Sequence, residues 1–167
     1  GGDPRETLRH VKSLGVTCGQ IGLPGDMDLS ASSADAWKKA LAEDGFTLVT
    51  VFTAYSGESY ADLPTVQKTV GFIPPATRAE REARTLAASD FTARLGVASL
   101  ATHIGFVPHD RNHSDYVAVR DMVRRVCDRC ARNAQSFALE TGQEPAATIK
   151  QFIADVDRSN LKINFDP

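Results

Sequence analysis

The sequence predicts an α/β protein whose parallel sheet curls as part of a (β/α)8 barrel. Three observations predict it. Helices and short strands alternate five times along the chain, the pattern of parallel βαβ units. Three consecutive strands, at 97–106, 136–140 and 161–166, put large apolar residues on one parity and small or polar residues on the other. An open doubly wound sheet is covered by helices on both faces, so its strands read as continuous apolar runs. Finally, Gly19, Gly22 and Gly25 do not form the G-x-G-x-x-G turn that a dinucleotide-binding open sheet would carry between strand and helix. Length pulls the other way. The chain has 167 residues, and complete barrels usually need about 200 or more.

The elements follow from local signals. Asp3 is placed to cap the first helix, with Pro4 at its first position and Glu6 closing a capping box. Leu8 and Val11 face inward, Gly15 ends the helix, and a strand runs over 16–22. The second helix starts near Ser32 or Ser33 and buries Trp37, Ala40 and Leu41; Gly45 closes it before a strand at 46–53. The third begins near Thr77, with Ala83, Ala87, Phe91 and Leu95 as its stripe, and ends at Gly96 before the strand at 97–106. The fourth spans about 114–133, and the fifth starts at Glu144-Pro145 and buries Ile149, Phe152, Ile153 and Val156.

Strand parity then selects a site. Successive strand residues point to opposite faces. Leu161, Ile163 and Phe165 share the face expected under helices, which leaves Lys162, Asn164 and Asp166 for the interior. By the same reasoning Ala138 and Glu140 face inward, as do Ser99, Ala101 and His103. Gln20 has inward parity with Cys18 and is a candidate substrate contact. His103, Glu140 and Asp166 lie near the C-terminal ends of their strands, the catalytic end of a barrel. Carboxylates and a histidine converging there suit a divalent metal such as Mn, Mg, Co or Zn. Such an ion polarises the C–H beside a sugar carbonyl, and a carboxylate moves the proton.

The run Phe137-Ala138-Leu139-Glu140-Thr141-Gly142, and after a helix Leu161-Lys162-Ile163-Asn164-Phe165-Asp166-Pro167, resemble the sugar phosphate isomerase/epimerase family with its xylose isomerase-like TIM barrel. Gly15 to Gln20 and Thr102 to Phe106 sit where that family's strands 2 and 4 would be. The resemblance implies that residues 1–167 are one partial barrel domain holding strands 2 to 6. It implies that Glu140 and Asp166 are metal ligands, that Glu140 is also one member of the acid/base pair, and that His103 touches substrate. It places the remaining ligands, a His and a Glu, after Pro167, and strand 1 before Gly1, so that this piece alone is expected to be inactive.

Other features carry less. The net charge of −2 gives no global field favouring nucleic acid, and no apolar run is long enough to span a membrane. Three cysteines without framework spacing suggest a reducing, cytoplasmic setting. Cys127 and Cys130 form a CxxC, but they fall on an apolar helical stripe with Val119, Met122, Val123 and Val126, so both are expected to be buried and metal-free. The connection 54–75, with Tyr55, Glu58, Tyr60 and Phe72, reads equally as a lid over the barrel mouth or a packed excursion. His109 and His113 are expected to be solvated loop residues, and the arginines at 120, 124, 125, 129 and 132 the wet face of the fourth helix. The expected partner is a small-molecule sugar; self-association into a homo-oligomer stays open. Two alternatives compete: an endonuclease IV-like metal-dependent phosphodiesterase, which needs more strand-end histidines, and a barrel that binds sugar without turnover.

Overall fold

The computed structural model describes residues 4–142 and 144–166. Its elements are α1 (Pro4–Ser13), β1 (Cys18–Leu23), α2 (Ala31–Asp44), β2 (Thr47–Thr53), α3 (Leu63–Thr69), α4 (Arg78–Leu95), β3 (Ser99–Thr102), α5 (Ser114–Arg132), β4 (Ser136–Glu140), α6 (Ala146–Val156) and β5 (Leu161–Asn164). The five strands lie in sequence order, and each neighbouring pair is parallel. A doubly wound sheet would reverse its order midway; this one does not.

The sheet is strongly curved. Gln20 of β1 donates through Nε2 to Oδ1 of Asn164 on β5, at 3.3 Å. These strands are the two edges of the sheet. At about 4.8 Å per strand spacing they would stand roughly 19 Å apart if the sheet were flat. Register defines the concave face. Gln20 pairs with Thr50, Phe52 with Ala101, Ala101 with Ala138, Ala138 with Lys162 and Glu140 with Asn164. The register shifts between Gly19 and Gln20, which leaves Val49 of β2 without a partner on β1.

The convex face carries the core. Val51, Leu100, Phe137, Leu139 and Leu161 pack with Phe91, Val119, Met122, Val123, Val126, Phe152 and Val156 from the helices. Burial of this apolar surface is the main stabilising term, about 25 cal/mol per Å². Cys127 and Cys130 are wholly buried free thiols on the inner stripe of α5. Burial pushes their pKa values up to about 12 and about 11. Asn160 seals the turn into β5 by donating to the carbonyls of Cys127 and Gln135.

Several local expectations need correcting. The strand expected over 97–106 stops at Thr102, because the His103 ring turns back to accept the Gly105 N–H. The strand expected over 161–166 stops at Asn164. Ile163 and Phe165, expected under helices, are exposed. The stripe of α4 is also different. Phe91 and Leu95 are buried, but Ala83 and Ala87 are exposed, and Arg81, Thr85, Ser89 and Thr92 are buried instead. That face is polar because it meets polar partners: Thr85 bonds the Tyr55 hydroxyl at 2.7 Å, and Ser89 donates to Gln135 at 2.7 Å. The second helix starts at Ala31 on an Ser30 cap whose hydroxyl accepts the Ser33 N–H. The proposed Asp3 cap lies outside the described residues.

The connection 54–75 contains one helix, α3, and is fastened along its length. Tyr55, Val66, Val70 and Phe72 are buried. Glu58 accepts the N–H groups of Tyr55 at 3.0 Å and Gly71 at 2.8 Å. From α4, Arg81 donates to the carbonyls of Gly71 and Ser56, Arg78 to those of Phe72 and Ile73, and Arg84 to those of Pro24, Met27 and Ala54. Arg81 is 3% exposed and stands over the Tyr55 ring at 5.4 Å. Gly71, at φ +71°, lies so close to the main chain of Ile104 and Gly105 that a Cβ would fall 2.0 Å from the Ile104 carbonyl carbon. The segment is therefore a packed wall beside the C-terminal end of β3, with its tip around 56–64 standing largely in solvent.

Candidate active site

The site gathers where β3, β4 and β5 end, with Gln20 reaching in from the middle of β1. Glu140 is the last residue of β4 and faces the concave side with Asn164, its register partner. The Asn164 amide donates to Oε2 of Glu140, while the Asn164 oxygen accepts from Gln20. One asparagine thus ties the Glu140 carboxylate to the opposite edge of the sheet. Beneath them lie Ala101 and Ala138, both small and buried.

His103 follows β3 directly. Its Nδ1 accepts the Gly105 N–H at 3.0 Å, which places the proton of the neutral ring on Nε2. That Nε2 packs against Gly142: a Cβ there would sit 3.1 Å from it and 3.1 Å from Oε2 of Glu144. The other Glu144 oxygen accepts the Val107 N–H at 2.9 Å, which joins the loops after β3 and β4. Gly142 is the gap that lets His103 and Glu144 approach the same point. Tyr60, from the tip of the connection, sets its ring edge-on to His103, with centroids 6.3 Å apart.

Asp166 lies just past β5 and is exposed. Its main chain is held by Thr141, whose Oγ1 accepts the Asp166 N–H at 2.8 Å and donates to the Asp166 carbonyl at 3.0 Å. Thr141 also donates its own N–H to the Asn164 carbonyl at 3.0 Å. The ends of β4 and β5 are thereby locked side by side. Of the residues singled out in the sequence, Gln20 and Glu140 are joined through Asn164, His103 lines the next loop, and Asp166 is held by its backbone. Among the described residues, no group of three or more His, Cys, Asp and Glu is close enough to hold a metal ion. His109 and His113 are exposed in the 103–113 loop, where they bond Thr148 and the Asp115 N–H.

Sequence reasoning did not single out Asn164, Glu144 or Thr141 as site residues. Asn164 had a usable signal, since it shares inward parity with the strand-end Asp166. Glu144 had none, because its role depends on a loop contact with Val107.

Residues 8–167 match the model of the xylose isomerase-like TIM barrel family. The chain belongs to that family. A xylose isomerase domain protein from Planctomyces limnophilus is 37% identical and superposes with a TM-score of 0.90, over 96% of this chain and 58% of that one. D-psicose 3-epimerase from Clostridium cellulolyticum H10, solved with D-tagatose, shares the xylose isomerase-like fold at 18% identity and TM-score 0.70, over 99% of this chain and 58% of that one. So does a xylose isomerase-like TIM barrel protein from Mycobacterium smegmatis in complex with magnesium, at 19% identity and TM-score 0.66, over 96% and 55%. The chain spans a little over half the length of these structures. No curated protein matches it. Among the described residues no helix is long and apolar enough to cross a membrane.

Proposed function

We propose that the protein is a metal-dependent isomerase or epimerase of a sugar or sugar phosphate, acting by proton transfer at the carbon beside the carbonyl. The observation that carries this reading is Glu140, held at the inner end of β4 by Asn164 and placed one strand from Asp166. An enzyme that moves a proton between carbon positions needs a fixed carboxylate of this kind. Its orientation here is set by a neighbouring amide rather than by solvent.

The donor types fit a divalent cation. Glu140 and Asp166 supply hard oxygen ligands from strand ends tied together by Thr141, as Mg²⁺ or Mn²⁺ prefer. They are two of the four or more donors such an ion takes, and other residues, water or the substrate's own oxygens would complete the set. Bound there, the ion would polarise the substrate carbonyl. Glu140 would take or return the proton, His103 would offer its Nε2–H to a sugar oxygen, and Gln20 would help line the pocket. The proposed setting is cytoplasmic, with a sugar rather than nucleic acid as partner. Phosphodiester chemistry of the endonuclease IV kind needs several strand-end histidines, and among the described residues only His103 holds such a position.

The test is hydrogen exchange. The full-length protein, supplied in turn with Mg²⁺, Mn²⁺, Co²⁺ and Zn²⁺, should incorporate deuterium from D₂O beside the carbonyl of a ketose or ketose phosphate. Glu140→Gln should abolish incorporation. Undiminished exchange in that variant would remove Glu140 from the mechanism.

A further inference from the structure

We propose that Tyr60 is a specificity-determining residue of this site, its ring forming the wall on which a C–H face of the bound sugar packs. The inference rests on reading the site as a sugar isomerase or epimerase.

Its position argues for this. Tyr60 is 59% exposed, whereas Tyr55 and Tyr116, the other two tyrosines, are buried. Such exposure usually means a slack loop, but here the flanking residues are fixed. Ser59 donates its N–H to Oγ1 of Thr69 at 3.1 Å, and the same hydroxyl contacts the Ser59 carbonyl at 3.2 Å. Asp62 caps α3 by accepting the Thr65 N–H at 2.8 Å. The ring is therefore presented to solvent by a braced segment, at little entropic cost on binding.

Its surroundings belong to the site. The ring meets His103 edge-on, and it is close enough to Glu140 for that carboxylate to help raise the phenol to about 12; partial burial is the first cause and Glu58 the second. The hydroxyl is thus a donor, not an anion, throughout the working range. An aromatic face beside convergent polar groups is the usual make-up of a small-ligand pocket. A sugar presents C–H bonds between its hydroxyls, and these pack on a ring face while the hydroxyls reach His103 and Glu140.

Tyr60→Ala and Tyr60→Phe in the full-length protein test the idea, with steady-state deuterium exchange into D-fructose, D-tagatose and their phosphate esters as readout. Tyr60→Ala should raise KM for the best of these about tenfold and leave kcat within about twofold. Tyr60→Phe, which keeps the ring, should restore KM to near the wild-type value. Both variants should unfold at the wild-type temperature, because the side chain is exposed. An unchanged KM in Tyr60→Ala, a loss confined to kcat, or a Phe variant as impaired as the Ala variant would overturn the assignment. Absence of exchange by the wild-type protein with every sugar would instead overturn the isomerase/epimerase reading, and this one with it.

Discussion

Gln20 and Asn164 are 144 positions apart in sequence and lie on opposite edges of the sheet, yet their side-chain amides are hydrogen-bonded at 3.3 Å. The free amide N–H of Asn164 goes to Glu140. A carboxylate that accepts a fixed amide donor keeps one orientation.

Removing that support should therefore act through Glu140. On the role proposed for Glu140, Asn164→Ala is expected to weaken metal binding or exchange activity by roughly 10–100-fold, the usual loss when a partner of a metal-ligating carboxylate is removed. Calorimetric metal titration and exchange assays of the variant would show the loss. Unaltered metal affinity with undiminished exchange would mean that Asn164 only fills space.

Gly71 should tolerate no side chain. Its positive φ and its approach to the Ile104 carbonyl carbon leave no room for a Cβ. Gly71→Ala is expected to cost about 2–4 kcal/mol, to lower the urea midpoint, and to expose the 56–64 tip to protease. A wild-type midpoint would show that the two loops can part without loss.

Acid should weaken the α5–α6 contact. Asp155 accepts from the Tyr116 hydroxyl at 2.6 Å and pairs with both nitrogens of Arg111. The Tyr116 bond first, and then the Arg111 and Gln151 bonds and the Arg111 charge, hold its carboxyl below the usual value against the opposing effect of burial. A carboxyl with a lowered folded pKa adds stability above its unfolded value, near 3.9, and loses it as pH falls through the folded value. Asp155→Asn should lower the melting temperature at pH 7 and flatten its decline below about pH 4. Parallel melting curves of variant and wild type across pH 2–7 would contradict this.

Thiol labelling should separate the cysteines. Cys127 and Cys130 are buried with raised pKa values, so both should resist a maleimide at pH 7.5 and react only after denaturation. Mass spectrometry of labelled native protein would detect adducts at either position if the face opens.

Much of this was legible in the sequence because it rests on local rules. Leu8, Trp37 and Phe152 fall on helical periods, Gly45 and Gly96 end helices, and the alternation of Phe137, Ala138, Leu139 and Glu140 shows which side of β4 meets the helices. The inward position of Glu140 follows from that alternation, and the parallel order from the repeated succession of helix and strand. Tertiary contacts override local rules elsewhere. The inner face of α4 is polar because Tyr55 and Gln135 reach it from distant segments, which no period within 78–95 reveals. Strand β3 is short because one ring nitrogen competes for an N–H. Helix α3 was missed because seven residues, capped by Asp62 and opened by Pro64, are too few for a periodic signal.

Apart from the contact of Arg81 with the buried Tyr55 ring, the three α4 arginines grip the connection through main-chain oxygens at 54, 56, 71, 72 and 73. A carbonyl is offered by every amino acid, so this grip is indifferent to which side chains the tip displays. Residues such as Tyr60 can be exchanged while the scaffold that presents them stays in place. Mutation can then retune what the mouth accepts without first unsettling the fold, a separation that lets one barrel diversify toward many small substrates.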